Sequence, residues 1–209
     1  DIYDEENNRF IHSFEGGGKF PIHANYISSI NEDQNGKIWI GTSYGIDIID
    51  PLKNVVKHLY HIPGDSTSLS DDNILAIYKD KQENMWVGSH RGLNLYSGND
   101  DVFYHYGKED GLPGEKIIGI VEDDDGDLWI TSSFGIAQFK KGDIGEMNGR
   151  ISPDFKIYND LDGLQGNLFN ENSIYKNKDG EILVGGLHGF NVFKPQEFEY
   201  NEKKPKIIF

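Results

Sequence analysis

The sequence predicts an all-β fold built from four-stranded antiparallel blades, on three observations. The first is composition: 25 Gly, 12 Phe and 11 Tyr against 2 Met in 209 residues suit short strands with tight turns rather than helices. The second is that Trp39, Trp86 and Trp129 lie 47 and 43 residues apart, each inside the same phrase. The third is a further copy 54 residues on, with Leu183 at the Trp position. A four-stranded unit repeating at this period is the mark of a β-propeller, whereas a β-sandwich has no reason to repeat a Trp motif at such spacing.

Each element of the repeat has its own warrant. The first strand contains Ile27–Ile30, Ile74–Ile77, Ile117–Ile120 or Ser173–Ile174. Ten residues before the anchor stand Ser29, Ala76, Gly119 and Ser173. This all-small column marks the first strand as the innermost, where side chains crowd around an axis. Asp33, Asp80, Asp123 and Asn177, six before the anchor, sit in an acidic turn that ends near Gly36, Glu83, Gly126 or Gly180. The Trp strand follows, apolar without strict alternation (Ile38-Trp39-Ile40, Met85-Trp86-Val87, Leu128-Trp129-Ile130), as expected for a strand buried on both faces. Six residues after the anchor all four copies have glycine: Gly45, Gly92, Gly135 and Gly189. Glycine there allows a tight turn with positive φ into the third strand. A wetter, aromatic fourth strand closes the unit at Val55–Tyr60, Val102–Tyr106 and Phe155–Tyr158.

Residues 1–195 therefore form a propeller segment, with blades at about 25–60, 73–106, 116–158 and 172–193. Residues 9–14 resemble the outer strand of a blade whose first three strands are absent. Four blades favour a partial arc of a larger, seven-bladed type of propeller over a closed four-blade ring. The glycine-containing segment Lys141–Pro153 lengthens the last spacing. Residues 196–209 leave the pattern.

A formal net charge of −15 argues against nucleic acid or an anionic membrane as a partner. No cysteine is present, which excludes disulfides and thiolate chemistry. No apolar run approaches the roughly 18 residues of a spanning helix. The chain does not begin with Met and reads as a piece of something longer.

The phrase Gly-x-[Ile/Leu]-Trp-[Ile/Val]-Gly-[Thr/Ser]-x-x-Gly-[Ile/Leu] resembles the two-component regulator propeller repeat. The linkers Asp110-Gly111-Leu112-Pro113-Gly114 and Asp162-Gly163-Leu164-Gln165-Gly166-Asn167 are similar to the family's as well. Glu83 and Thr131 stand where the pattern has Gly, and Leu183 where it has Trp. The resemblance implies the periplasmic sensor region of a hybrid two-component histidine kinase. It further implies a carbohydrate ligand, signal relay to a transmembrane kinase, and a homodimer in the full-length protein. It also implies that residues 196–209 lead to an immunoglobulin-like domain.

No nucleophile elbow, phosphate loop or H-E-x-x-H pair is present, so no catalytic residue is expected. The run Glu122–Asp127 lacks an EF-hand's twelfth-position Glu and flanking helices, and reads as a hairpin turn rather than a metal site. His12, His23, His58, His61 and His105 fall on outer strands or loops and read as surface groups; no metal or cofactor is expected. A streptogramin lyase-like propeller is the enzyme alternative, and it would need a His/Glu pair on the axis. A purely structural spacer is the third reading.

Binding is favoured. The turn between strands two and three and the linker between blades open on one face. The turn tips carry Tyr44, His90, Arg91, Phe134 and His188, which suit sugar stacking and multiple hydrogen bonds. Asn25, Asn73, Lys116 and Asn172 are expected at the inner edge of the same face. The competing expectation is that Tyr44 and Phe134 pack against neighbouring blades and that His90 and Arg91 are solvated.

Overall fold

The computed structural model describes residues 2–11, 20–98, 101–140 and 154–198. Strands β1 (Ile2–Asp4) and β2 (Arg9–Ile11) form a hairpin of their own. The strand at residue 9 thus has a partner before it, where the sequence suggested none. Residues 12–14 of that expected strand lie outside the described residues. So do Lys141–Pro153 and the tail beyond residue 198.

The first blade is β3 (Ile27–Glu32), β4 (Ile38–Thr42), β5 (Gly45–Asp50) and β6 (Val55–Leu59), paired antiparallel in chain order. The second is β7 (Ile74–Lys79), β8 (Met85–Ser89), β9 (Gly92–Tyr96) and β10 (Phe103–Tyr106). The third is β11 (Ile117–Glu122), β12 (Leu128–Ser132), β13 (Gly135–Phe139) and β14 (Phe155–Tyr158). The fourth has three strands, β15 (Phe169–Lys176), β16 (Ile182–Gly186) and β17 (Gly189–Phe193). Inner strands neighbour one another in sequence order: β3 beside β7, β7 beside β11, β11 beside β15.

Each tryptophan packs forward onto the next sheet. Trp39 meets Tyr96 edge-on at 4.9 Å and shares a core with Ile77, Met85 and Val87. Trp86 meets Phe139 at 5.6 Å among Leu128 and Ile130. Trp129 meets Phe193 at 4.9 Å beside Ile182 and Val184. All three indoles are at most 2% exposed. A buried indole N–H needs an acceptor, and the carboxylate six residues earlier supplies it. Trp39, Trp86 and Trp129 donate to Asp33, Asp80 and Asp123 at 3.1, 2.9 and 2.8 Å. The other oxygen of each carboxylate accepts two backbone N–H groups of the hairpin, from Asn35 and Lys37, Gln82 and Asn84, or Asp125 and Asp127. In the fourth copy Asn177 accepts the same backbone bonds, from Asp179 and Glu181, and the Leu183 side chain has no N–H to satisfy.

The small column has a specific cause beyond crowding at the axis. Ser29 accepts the backbone N–H of Ile77 at 3.0 Å, so the inner strands of adjacent sheets are stitched directly. A Cβ on Gly119 would lie 2.6 Å from Ile174 and 2.7 Å from Thr131. The outer edges are tied as well. Lys57 of β6 pairs with Asp101, which also accepts the Tyr96 hydroxyl at 2.7 Å. Burial would raise the Asp101 carboxyl, but those two donors outweigh it and hold it below the ordinary value. Burial, reinforced by that carboxylate, pushes the Tyr96 phenol up.

The stack of sheets does not close. Among the described residues, a side-chain bond links the last inner strand to the first, from the Asn172 amide to the Ser28 carbonyl at 2.9 Å. The outer face of the fourth sheet exposes Tyr175, Phe190 and Val192, and Tyr26 and Ile30 are exposed at the first. Phe198 stacks on Trp129 and Tyr158 at 5.8 and 5.2 Å, within the stretch expected to leave the pattern.

Candidate functional site

The turns after the Trp strands stand on one end of the stack, and hydrogen bonds fix them there. Thr42, Ser89 and Ser132 each place a hydroxyl inside the turn. Each donates to the carbonyl of the following Gly45, Gly92 or Gly135 and accepts the N–H of Tyr44, Arg91 or Phe134. The glycines have φ of +101°, +111° and +118°. A Cβ at these three positions would lie 2.2, 2.5 and 2.6 Å from the carbonyl oxygens of Leu59, Tyr106 and Tyr158. Only glycine fits such an approach.

The turns are also bonded to the linkers between blades, so both structures share one face. Gly45 N–H donates to the Asp72 carbonyl at 2.7 Å and Gly92 N–H to that of Glu115 at 2.7 Å. His90 and Ser133 donate to the Asn73 and Lys116 carbonyls, both at 3.1 Å. Two of the linkers begin with short 3-10 turns, Lys108–Asp110 and Asp160–Asp162, each capped by a glycine with positive φ. A repeated, rigid framework thus presents two variable tip residues per blade.

Tyr44 and Phe134 project from these tips 64% and 61% exposed. They do not pack against neighbouring blades, the arrangement weighed as their alternative. His90, Arg91 and His188 are exposed as well. Arg91 is paired with Asp71 at 3.5 Å, and Lys116 with Glu171 at 2.7 Å. Such exposed pairs hold weakly, which leaves both cations recruitable by a ligand. Asn73 is half-buried and Asn25 exposed. Asn172 takes a positive φ of 53° and spends its amide on the Ser28 carbonyl, so it ties first and last inner strands.

Two clefts open on this face. One of about 400 Å³ is lined by His61, Ser70, Arg91, His105 and Glu109. The other, about 420 Å³, is lined by Lys116, Ser133, Leu168, Asn170 and Glu171. Asp71, Glu109 and Glu171 were not anticipated from the sequence. Their only signal was the acidity of the linkers. A groove of about 440 Å³ lies at the opposite ends of the strands, between the first two blades, where Asp33, Lys57, Glu83 and Tyr96 line it. It is formed by repeat-framework residues and the interblade ties described above.

His58, His61 and His105 are partly buried and bonded rather than the surface groups expected, while His23 is exposed. His61 and His105 bond the carbonyls of Leu69 and Ser68 at 2.7 and 2.6 Å. His58 is mostly buried and shares the Asp47 carboxylate with His23. His12 lies outside the described residues. In the acidic run, Asp123 is occupied by its hairpin and indole, Glu122 accepts the Lys81 N–H, and Asp124 pairs with Lys176, whose ammonium lowers its carboxyl. That run is a turn, as its position in the repeat suggested.

Comparison with known proteins agrees with this architecture. The two-component regulator propeller family matches at residues 21–44, 68–91 and 111–134. Histidine kinase P4 of Formosa agariphila is 25% identical over 99% of this chain, which spans 15% of that protein. The extracellular domain described as that of hybrid two-component system BT4673 from B. thetaiotaomicron superposes with a TM-score of 0.69 at 25% identity. The match covers 84% of this chain and 24% of that one. The corresponding domain of BT3049 gives 0.69 at 23% identity, over 83% and 22% of the two chains. Virginiamycin B lyase from Staphylococcus aureus shares the fold alone, with a TM-score of 0.53 at 16% identity over 82% and 56%. This chain therefore spans less than a quarter of the signalling relatives it matches. The chain thus carries three stretches similar to the two-component regulator propeller repeat, set on stacked four-stranded sheets like those of the extracellular domains it resembles.

Proposed function

We propose that this chain is a ligand-sensing segment of the extracytoplasmic part of a two-component signalling protein, and that it takes an oligosaccharide on the face formed by the blade turns and linkers. The observation that carries this reading is the pair of aromatic rings, Tyr44 and Phe134, held in solvent on glycine-locked turns. Exposing a large ring on a rigid turn gains nothing for the fold, whereas it offers a ready stacking surface to the apolar face of a sugar. Arg91, His90 and Lys116 add donors beside the rings. The likeness to extracellular domains of two-component systems supports a periplasmic setting. Within a full-length homodimer, a ligand bridging tips and linkers would favour one packing of blades over another and bias the kinase accordingly. No step of bond cleavage is assigned to this segment.

Calorimetric titration of the chain with short neutral and acidic oligosaccharides tests the proposal. Binding is expected for at least one of them, weakened about tenfold by Tyr44→Ala or Phe134→Ala, the scale of one lost stacking contact. The variants should melt where the parent does, because neither ring is packed. No binding by the parent chain, or equal binding by the variants, would favour a spacer role instead.

A further inference from the structure

Outside the turn face, one cluster brings together groups that the sequence keeps far apart. Asp47 on β5 is fully buried, and His58 is its cross-strand partner on β6. His23, on the segment that precedes the first blade, reaches the same carboxylate. Its backbone N–H donates to Asp47 Oδ2 at 2.7 Å, and its Nδ1 lies 2.6 Å from Oδ1. His58 Nδ1 lies 2.9 Å from that same Oδ1. Two imidazole nitrogens thus converge on one oxygen, and the three possible ligand atoms all lie within 4.8 Å of one another.

We infer that His23, Asp47 and His58 form a site for a divalent transition-metal ion of the zinc type, which staples the N-terminal segment onto the first blade. Two imidazoles and one carboxylate are a donor set that suits zinc and disfavours calcium or magnesium. Bonds of about 2.0–2.1 Å in a tetrahedron give ligand–ligand edges of about 3.3 Å. The present contacts reach that value by opening roughly half an ångström. The rings stack at 3.8 Å, so they turn out of the stack as the ion enters. Tyr60 stacks on His58 at 5.4 Å and keeps that ring on this side of the sheet. On loading, Nδ1 of each ring becomes the donor atom and the ring proton resides on Nε2. Neither Nε2 has a hydrogen-bond partner among the described residues, so both can carry it. The His23 side chain is 50% exposed, which gives the ion an entry path and a fourth position for water. Sequence reading missed the cluster because it joins three elements, with His23 and Asp47 24 positions apart.

The test is zinc titration of the metal-stripped chain, followed by calorimetry and thermal melting. Excess magnesium is kept present to occupy the acidic surface. One equivalent is expected to bind and to raise the melting temperature, as any ligand specific to the folded state does. His58→Gln and, separately, the half-exposed His23→Gln should each abolish the one-equivalent step. His90→Gln should leave it intact. Having two variants keeps the test decisive if one of them folds poorly. No stoichiometric binding by the parent, or binding unchanged in both variants, would overturn the inference and leave the cluster a hydrogen-bonded latch.

Discussion

Glu83 has a left-handed backbone, φ +67°, at the hairpin position where Gly36, Gly126 and Gly180 have +73°, +91° and +78°. A residue with a Cβ is disfavoured there by about 1–2 kcal/mol. Its ion pair with Lys79 at 2.9 Å is half-exposed and returns little. Glycine would relieve the backbone but lose about 0.4–1 kcal/mol through its freer unfolded chain. Glu83→Gly should therefore stabilise the chain by roughly 0.5 kcal/mol, read as a higher urea midpoint with unchanged slope. A lowered midpoint would show that the ion pair matters more than the strain. The same residue scale explains why Asp at minus six was visible in the sequence while its purpose was not. An offset shared by four copies can be read from letters. That one oxygen serves the indole and the other the hairpin depends on coordinates.

At the scale of elements, the repeat's departures make sense as matched sizes. A Cβ on Gly88 would meet the Cγ2 and carbonyl oxygen of Ile117, the first residue of the next inner strand, both at 2.8 Å. Gly41 stands in the same relation to Ile74, at 2.7 Å. In the third blade Thr131 replaces this glycine. There its cross-strand partner is Gly119, where the first two blades have Ser29 and Ala76. The residue at the Ile117 offset in the fourth blade is Glu171, exposed at the edge of the turn face. Gly88→Ala should cost about 1–3 kcal/mol by overpacking. Because the clash is with one side chain and its backbone, combining it with Ile117→Ala should be less costly than the sum by about 1 kcal/mol. Strict additivity in denaturant melts would contradict this account of the glycine.

At the scale of the molecule, strand order, blade number and the shared face of turns and linkers were legible in the sequence, because each repeats and repetition exposes it. Features made once were not legible. The Asn172 bond to the first blade, the hairpin of β1 and β2, the docking of Phe198 and the convergence of two histidines on Asp47 each join distant segments without a repeated signal. The four sheets form an open arc, and its last face carries Tyr175, Phe190 and Val192 in solvent. An arc of this kind supplies a stiff platform, since successive cores are centred on tryptophans that each touch the next sheet. Function then resides in what the platform holds up, namely two residues per turn and the linkers behind them.

The most direct test of that division is amide and side-chain NMR mapping on the isotopically labelled chain during titration with an oligosaccharide that binds in calorimetry. The account predicts shifts confined to the turn tips at Tyr44, His90, Arg91 and Phe134 and to their linkers, with the three indole N–H signals unmoved. Shifts centred on the opposite groove at Asp33, Lys57 and Tyr96, or on the indoles themselves, would contradict it.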